Sequence, residues 1–116
     1  MTVAYTYGIF GTPIRPASTD QFELYAPATG VEFIGEVIIN NQDTVARVYH
    51  LAVCTDSGAA AVGEWIHGNG TNGQAIAGNT THRISIRIKS PQTLRAIAGT
   101  VDIISFQCNG MTKTTT

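Results

Sequence analysis

Charged residues are scarce in this sequence. Asp, Glu, Lys and Arg make up 13% of its 116 residues, and the formal net charge at pH 7 is −1. Without a positively charged face there is nothing to attract a phosphate backbone or an acidic lipid surface. We therefore expect neither a nucleic acid nor a membrane as a partner. Because 43% of the residues are hydrophobic, a surface with so little charge is best tolerated if an assembly covers much of it.

A secretion signal and a long apolar run are also missing. The opening residues, MTVAYTYGIFGTPIRP, contain no basic stretch followed by an apolar one, and no run approaches the roughly 18 apolar residues that cross a bilayer. In that setting the two cysteines, Cys54 and Cys108, are expected to be reduced and buried rather than bridged. The Asn-x-Thr sequons at Asn69 and Asn79 lose their meaning as glycosylation sites for the same reason.

Residue sets that bind cofactors or carry catalysis are missing as well. His50, His67 and His82 have no His or Cys partner at the short spacings of familiar zinc sites, so we expect no metal. The Gly-x-Gly-x-x-Gly at 68–73 is not followed by helical periodicity, and its glycines are interpreted as loop positions that need positive φ. Both cysteines occupy apolar strand positions, where a thiol is inert. The sequence therefore predicts a protein that is not an enzyme and carries no cofactor.

What the chain does have, from Asp20 onward, is alternation of apolar and polar residues with period two, the spacing of a strand with two different faces. The clearest case is 83–89, where three isoleucines alternate with Arg, Ser, Arg and Lys. No window shows helical spacing over two turns. About seven short strands between turn signals predict an all-β antiparallel β-sandwich of jelly-roll or Greek-key type. The predicted core consists of Phe22, Leu24, Phe33, Val37, Leu51, Val53, Ile84, Ile86, Ile104 and Phe106.

The pattern divides the chain into three segments. Residues 1–18 combine aromatics with two glycines and two prolines and have no sustained period, which predicts an extended N-terminal arm. Residues 19–110 are predicted to form the sandwich domain, whose main loop region at 55–80 is rich in Gly, Ala, Asn and Thr. Residues 111–116 are predicted to be a polar tail that frays.

Two groups of residues are candidates for contact with a partner. The large apolar residues of the arm are unsuited to a freely solvated tail, so we expect the arm to lie in a groove of a neighbouring subunit, with packing on its own sandwich as the alternative. The Trp beside the polar loop is either a core or interface anchor or a platform on which a sugar stacks. The candidate interaction residues are Tyr5, Tyr7, Ile9, Phe10, Trp65 and His67.

Residues 20–41 read DQFELYAPATGVEFIGEVIINN, and this stretch resembles a group of small tailed-phage virion proteins. The shared pattern is an aromatic-Leu-Tyr segment, then Ala-Pro-Ala-x-Gly, then a strand that ends in a polar Asn turn, then a second long strand, here RVYHLAVC at 47–54. The similarity extends over roughly 20–107 and is fainter in its second half. The arm and the glycine-rich loop at 68–78 depart from the pattern.

The resemblance implies a capsid decoration or cement protein, a β-sandwich that stabilises the phage head by binding between subunits of the major capsid protein. It also implies a homotrimer as the oligomeric state. The expected location is the capsid surface of the virion, after synthesis in the host cytoplasm. The alternatives are a tail or baseplate accessory protein and a host-glycan-binding module centred on Trp65.

Overall fold

The computed structural model describes residues 2–56 and 58–116, and these residues form nine β-strands. A three-residue 3-10 helix, Val62–Glu64, precedes the fifth strand. No helix in the described part of the chain has the length and hydrophobicity to span a membrane. The strands are β1 Val3–Ile14, β2 Phe22–Tyr25, β3 Val31–Asn41, β4 Arg47–Cys54, β5 Trp65–His67, β6 Gln74–Ile76, β7 Thr81–Lys89, β8 Thr93–Ala98 and β9 Ile104–Thr115.

The strands form two antiparallel sheets that pack face to face. Sheet A has the order β1-β9-β3-β7, and sheet B has the order β2-β8-β4-β5 with β6 also paired to β4. The pairing is nested along the chain: β1 pairs with β9, β2 with β8, β3 with β7, and β4 with β5 and β6. A long hairpin that rolls up on itself produces this jelly-roll order. The prediction of an all-β antiparallel sandwich is confirmed.

The core between the sheets is built from alternate residues of the strands, as the period-two pattern predicts. Phe22, Val53 and Ile84 are partly buried, and the other seven predicted core residues are buried. Tyr49 is also fully buried. Its hydroxyl lies 2.9 Å from Nδ1 of His82 and therefore has a hydrogen-bond partner. Further buried residues outside the predicted set are Ile39, Ile76, Ile88, Leu94, Ala96, Ala98 and Cys108.

Both ends of the chain are strands, which differs from the arm and the frayed tail expected from the sequence. β1 occupies most of the predicted arm, whose first residue, Met1, lies outside the described residues. Residues 111–115 are the end of β9, paired with β1 on one side and with β3 on the other. Backbone hydrogen bonds hold this polar, threonine-rich run, and such bonds leave no hydrophobic pattern in the sequence.

The predicted loop region at 55–80 contains two short strands, β5 and β6. Ile76 of β6 is fully buried, yet it is surrounded in sequence by Gly, Ala, Asn and Thr. One apolar residue in such a context produces no periodic signal. Its burial is therefore decided by the pairing of β6 with β4.

Candidate interaction surface

The face of sheet A that points away from sheet B carries an exposed apolar area. Tyr7 of β1, Met111 of β9 and Ile34 of β3 are direct neighbours across three strands. Tyr7 is 74% exposed, and Tyr5 and Ile9 on either side of it are 54% and 55% exposed. A contiguous exposed apolar area is a common mark of a contact site. We call this area the outer patch; it consists of the exposed Tyr5, Tyr7 and Ile9 and the half-buried Ile34 and Met111.

Polar and ion-paired side chains border the outer patch toward β7. Nε of Arg87 donates a hydrogen bond of 3.0 Å to Glu32, and Arg83 forms an ion pair with Glu36. The hydrogen bond from Arg87 is the main cause that holds the pKa of Glu32 below its ordinary value. Lys89 and Lys113 also lie beside Glu32, so the cations of this half of the face outnumber its carboxylates. An apolar centre with a polar rim is the usual composition of a protein interface.

The structure brings three of the four predicted arm residues together and turns the fourth inward. Tyr5, Tyr7 and Ile9 share the outer face of sheet A. Phe10 lies on the opposite face, where its ring meets Phe33 edge-on with 5.7 Å between centroids. Phe10 therefore packs against the core. A role of the other three in binding a partner stays a prediction.

β1 joins its own sandwich through its backbone and leaves its side chains in solvent. Residues 3–9 are all exposed although they pair with β9 along their whole length. Sequence reasoning offered two alternatives, a groove on a neighbour or packing on the same domain. In the structure the backbone of β1 pairs with β9 of the same domain, as in the second alternative. The exposed side chains of residues 3–9 remain accessible to a partner.

Trp65 and His67, the second predicted group, lie on β5 at the edge of sheet B and are not brought together. A register shift in the pairing of β4 with β5 sends their side chains to opposite faces. The His67 ring lies near Tyr49, with 6.1 Å between centroids, whereas the Trp65 indole stands edge-on to His50 at 5.6 Å. The structure therefore does not form one platform from the two residues.

The glycine-rich loop at 68–73 lies over the outer face of sheet B and is held there by His50. The N–H of Gly70 donates to Nδ1 of His50 at 3.0 Å. Burial lowers the pKa of His50, which favours the neutral imidazole that can accept this bond. Gly68 and Gly70 have φ of +68° and +87°, so the predicted positive φ is confirmed for the first two of the three glycines.

Asn41 is a fully buried polar residue that the sequence placed only in a turn. Its side-chain N–H groups donate to the carbonyls of Val45 at 2.9 Å and Ile76 at 3.0 Å, and its Oδ1 accepts from the N–H of Asp43 at 3.0 Å. One side chain thus joins the end of β3 to the following turn and to β6. The polar Asn turn of the resemblance pattern is, in this chain, a structural anchor.

The histidines, cysteines and carboxylates of the described residues are the candidates for a metal site or a nucleophile. Within residues 2–56 and 58–116, no group of three or more His, Cys, Asp or Glu side chains could hold a metal ion. Cys54 and Cys108 are buried and free. Burial raises the pKa of Cys108 to about 12 and also raises that of Cys54. A thiol that stays protonated at neutral pH is a poor nucleophile.

One surface depression adjoins the outer patch, and another lies apart from it. The first, of about 300 Å³, lies where β3, β7 and β9 meet, and Glu32, Lys89 and Lys113 line it. The other, of about 240 Å³, lies along the segment between β1 and β2. Both are at or below the lower end of the volumes of small-molecule sites, roughly 300 Å³.

Comparison with known proteins finds distant similarity to viral structures only at the level of coordinates. No family model matches the sequence, and no curated protein matches it significantly. A chain in the structure of infectious bursal disease virus, Gx strain, aligns with a TM-score of 0.44 and 12% identity over 97% of this chain and 32% of that chain. A chain in the structure of the Gt strain aligns over the same shares with a TM-score of 0.34 and 12% identity. This chain spans about a third of the length of each.

Proposed function

We propose that this protein is a structural component of a virus particle that acts by binding other protein surfaces, and specifically that it decorates the capsid of a tailed phage. The observation that carries the proposal is the outer patch, a row of large apolar side chains in water with Tyr7 at its centre, 74% exposed. Exposed aromatic groups of this kind are typical anchors of protein interfaces.

The phage assignment is supported by the sequence resemblance of residues 20–41. That stretch forms β2, the following turn and β3, and its closing Asn41 is the buried anchor described above. The resemblance therefore concerns the scaffold of the sandwich. The outer patch draws three of its five residues from β1, which lies outside the resembling stretch, so we assign partner choice to β1.

The proposed mechanism is surface complementarity with the major capsid protein. Burying the exposed part of Tyr7 against an apolar partner contributes about 3 kcal/mol before the cost of ordering both surfaces. The half of the face beside Arg87 carries more cations than carboxylates and therefore favours a partner surface with acidic groups. Location at the capsid surface of the virion follows from this role.

Imaging of the protein on capsids tests the proposal. Purified protein is mixed with expanded phage capsids that lack it, and the docking position is determined by electron microscopy. We expect binding at regular positions between major capsid protein subunits, weakened at least about tenfold by Tyr7→Ala. The matched control is Val62→Ala, since Val62 is 92% exposed but lies on the 3-10 helix, away from the outer patch.

Two other outcomes would contradict the capsid assignment. Binding to tails or baseplates instead of capsids would identify a tail accessory protein. A change of Trp65 fluorescence on titration with cell-wall sugars would indicate a glycan-binding module. We expect no such change, because the backbone of Gly70 and the ring of His50 already pack against the indole.

A further inference from the structure

The free edge of β1 presents a regular row of backbone hydrogen-bonding groups, since β1 is the end strand of sheet A. Thr2 and Thr116 exchange hydrogen bonds of 3.1 and 2.9 Å, and the register then continues unshifted to the pair of Phe10 with Cys108. Bonded and non-bonded pairs alternate in an antiparallel ladder. The even-numbered residues of β1 therefore bond to β9. The residues whose N–H and C=O groups point to the free edge are Val3, Tyr5, Tyr7 and Ile9.

Residues 3–10 of β1 contain none of the usual devices that protect an edge strand, whereas the rest of the strand has a register shift between Phe10 and Ile14. Natural edges carry Lys, Pro, a bulge or a very short strand, each of which prevents pairing with another chain. Val3–Ile14 contains no charged residue, its proline comes only at Pro13, and its pairing shows no register shift before Phe10. A long, regular and uncharged edge of this kind is a template for one more strand.

The sequence of β1 is also nearly symmetric about Thr6. Suppose that the β1 strands of two copies lie side by side and antiparallel, with Thr6 facing Thr6. Aromatic residues then face aromatic residues, small residues face small ones, and β-branched residues face β-branched ones. Aromatic and β-branched pairs directly opposite one another stabilise antiparallel strands, and small pairs avoid crowding. Outward from Thr6 the facing pairs are Tyr5 with Tyr7, Ala4 with Gly8, and Val3 with Ile9.

The hydrogen-bonding pattern of the edge agrees with this alignment. With Thr6 on the axis, odd-numbered residues face odd-numbered residues, and these are the ones whose backbone groups point outward. Each of the four facing odd pairs would then exchange two hydrogen bonds, with Thr6 at a non-bonded position. A slip of one residue would place outward groups opposite groups already bonded to β9, and the new bonds would be lost.

We propose that two copies of this protein pair antiparallel through their β1 edges about a twofold axis at Thr6. The two four-stranded A sheets then form one continuous sheet, and the tyrosines of both copies stand side by side on its outer face. The proposal goes beyond the virion role and does not depend on it. A twofold pair is a dimer, and it takes the place of the trimer that the resemblance implies.

The size of the contact sets the conditions for measuring it. Stable interfaces bury about 800 Å² on each partner, and one strand edge supplies less than this. The apolar contribution comes from Val3, Tyr5, Tyr7 and Ile9, which are 40%, 54%, 74% and 55% exposed. The dimer is therefore of the weak, transient class and dissociates on dilution.

Disulfide trapping tests both the pairing and its register. Non-bonded residues on the axis lie about 4.5 Å apart at Cα, within the range that a disulfide spans. Thr6→Cys should therefore form a disulfide-linked dimer under mild oxidation. Ile9→Cys is the matched control, because the two copies of position 9 would lie about 20 Å apart along the strands. Cys54 and Cys108 are buried and do not compete.

Light scattering from about 1 µM to about 1 mM provides the second measurement. We expect the wild-type mass to rise from monomer to dimer, and Tyr7→Pro to weaken the dimer at least about tenfold, because it removes an outward N–H without touching the bonds to β9. If Tyr7→Pro does not fold, disulfide trapping with Thr6→Cys and Ile9→Cys tests the proposal without it. A monomer or trimer at every concentration, or equal cross-linking of Ile9→Cys and Thr6→Cys, would overturn the proposal.

Discussion

At the scale of single residues, Asn41 has the largest predicted effect on stability. Replacing its amide by the carboxylate of Asn41→Asp would place a buried charge against the carbonyls of Val45 and Ile76, which now accept its N–H groups. We expect a loss of at least about 3 kcal/mol at pH 7 in urea unfolding.

Asn40→Asp is the matched control for that substitution. The Asn40 side chain is only partly buried and bonds to Oγ1 of Thr81 at 2.7 Å, a hydroxyl that can equally donate to a carboxylate. Its cost should stay below about 1 kcal/mol. Equal losses for the two variants would show that Asn41 is not the anchor of this turn.

His50 should make the glycine-rich loop sensitive to acid. Burial holds the pKa of His50 below its ordinary value in the folded protein, so the folded state favours the neutral ring more than the unfolded chain does. Its contribution to stability is therefore complete above the unfolded pKa of about 6.5 and is lost as the pH falls through the folded pKa. Protonation also removes the acceptor for the N–H of Gly70.

Hydrogen exchange of the Gly70 amide measures this effect. As the pH falls from about 7.5 through the unfolded imidazole pKa of about 6.5 and below it, exchange corrected for its intrinsic rate should accelerate. In His50→Phe, which has no acceptor at any pH, the corrected rate should be fast throughout. A corrected rate that is as fast in the wild type at about pH 7.5 as in His50→Phe would show that the bond does not hold the loop.

At the scale of elements, the contact between β3 and β9 depends on two facing glycines. A Cβ at Gly35 would collide with the carbonyl oxygen of Asn109 and lie 2.8 Å from Cα of Gly110, while the Phe33 ring already covers the position. Gly35→Ala should therefore destabilise the protein by about 1–3 kcal/mol in chemical unfolding.

Gly63→Ala serves as the control for that substitution. Its Cβ would meet nothing within 4 Å, so we expect a change within about 0.5 kcal/mol. An alanine at position 35 that stabilises the protein, as alanine does relative to glycine in an unobstructed strand, would contradict the close approach.

At the scale of the whole molecule, β1 is predicted to be separable from the stability of the sandwich. Removing residues 1–9 should leave the fold intact, because residues 3–9 are exposed and the chain first reaches the core at Phe10. The thermal midpoint should fall by about 5–10 °C as hydrogen bonds to β9 are lost, and self-association should disappear. Circular dichroism melting and light scattering measure the two effects. A truncated chain that does not fold would show that β1 belongs to the core.

The sequence by itself determined the class of fold and most of the core. Period-two alternation is a local property, written in neighbouring residues such as those at 83–89, and it identifies both the strands and the faces they bury. Tyr5, Tyr7 and Ile9 were likewise recognisable as candidates from the sequence, because apolar side chains without a strand pattern need a partner.

Only the tertiary structure decided which segments pair and where the exposed side chains lie. Val3 pairs with Thr115 from the opposite end of the chain, through backbone groups that every residue carries and that leave no mark in the side-chain pattern. The same limit applies to the burial of Ile76 and to the bonds of Asn41, which arise from segments distant in sequence. The separation of Trp65 from His67 depends on a register shift and could not be derived from local spacing. The inward side chain of Phe10 follows from period two once β1 is known to be a strand, and only the structure showed that it is one.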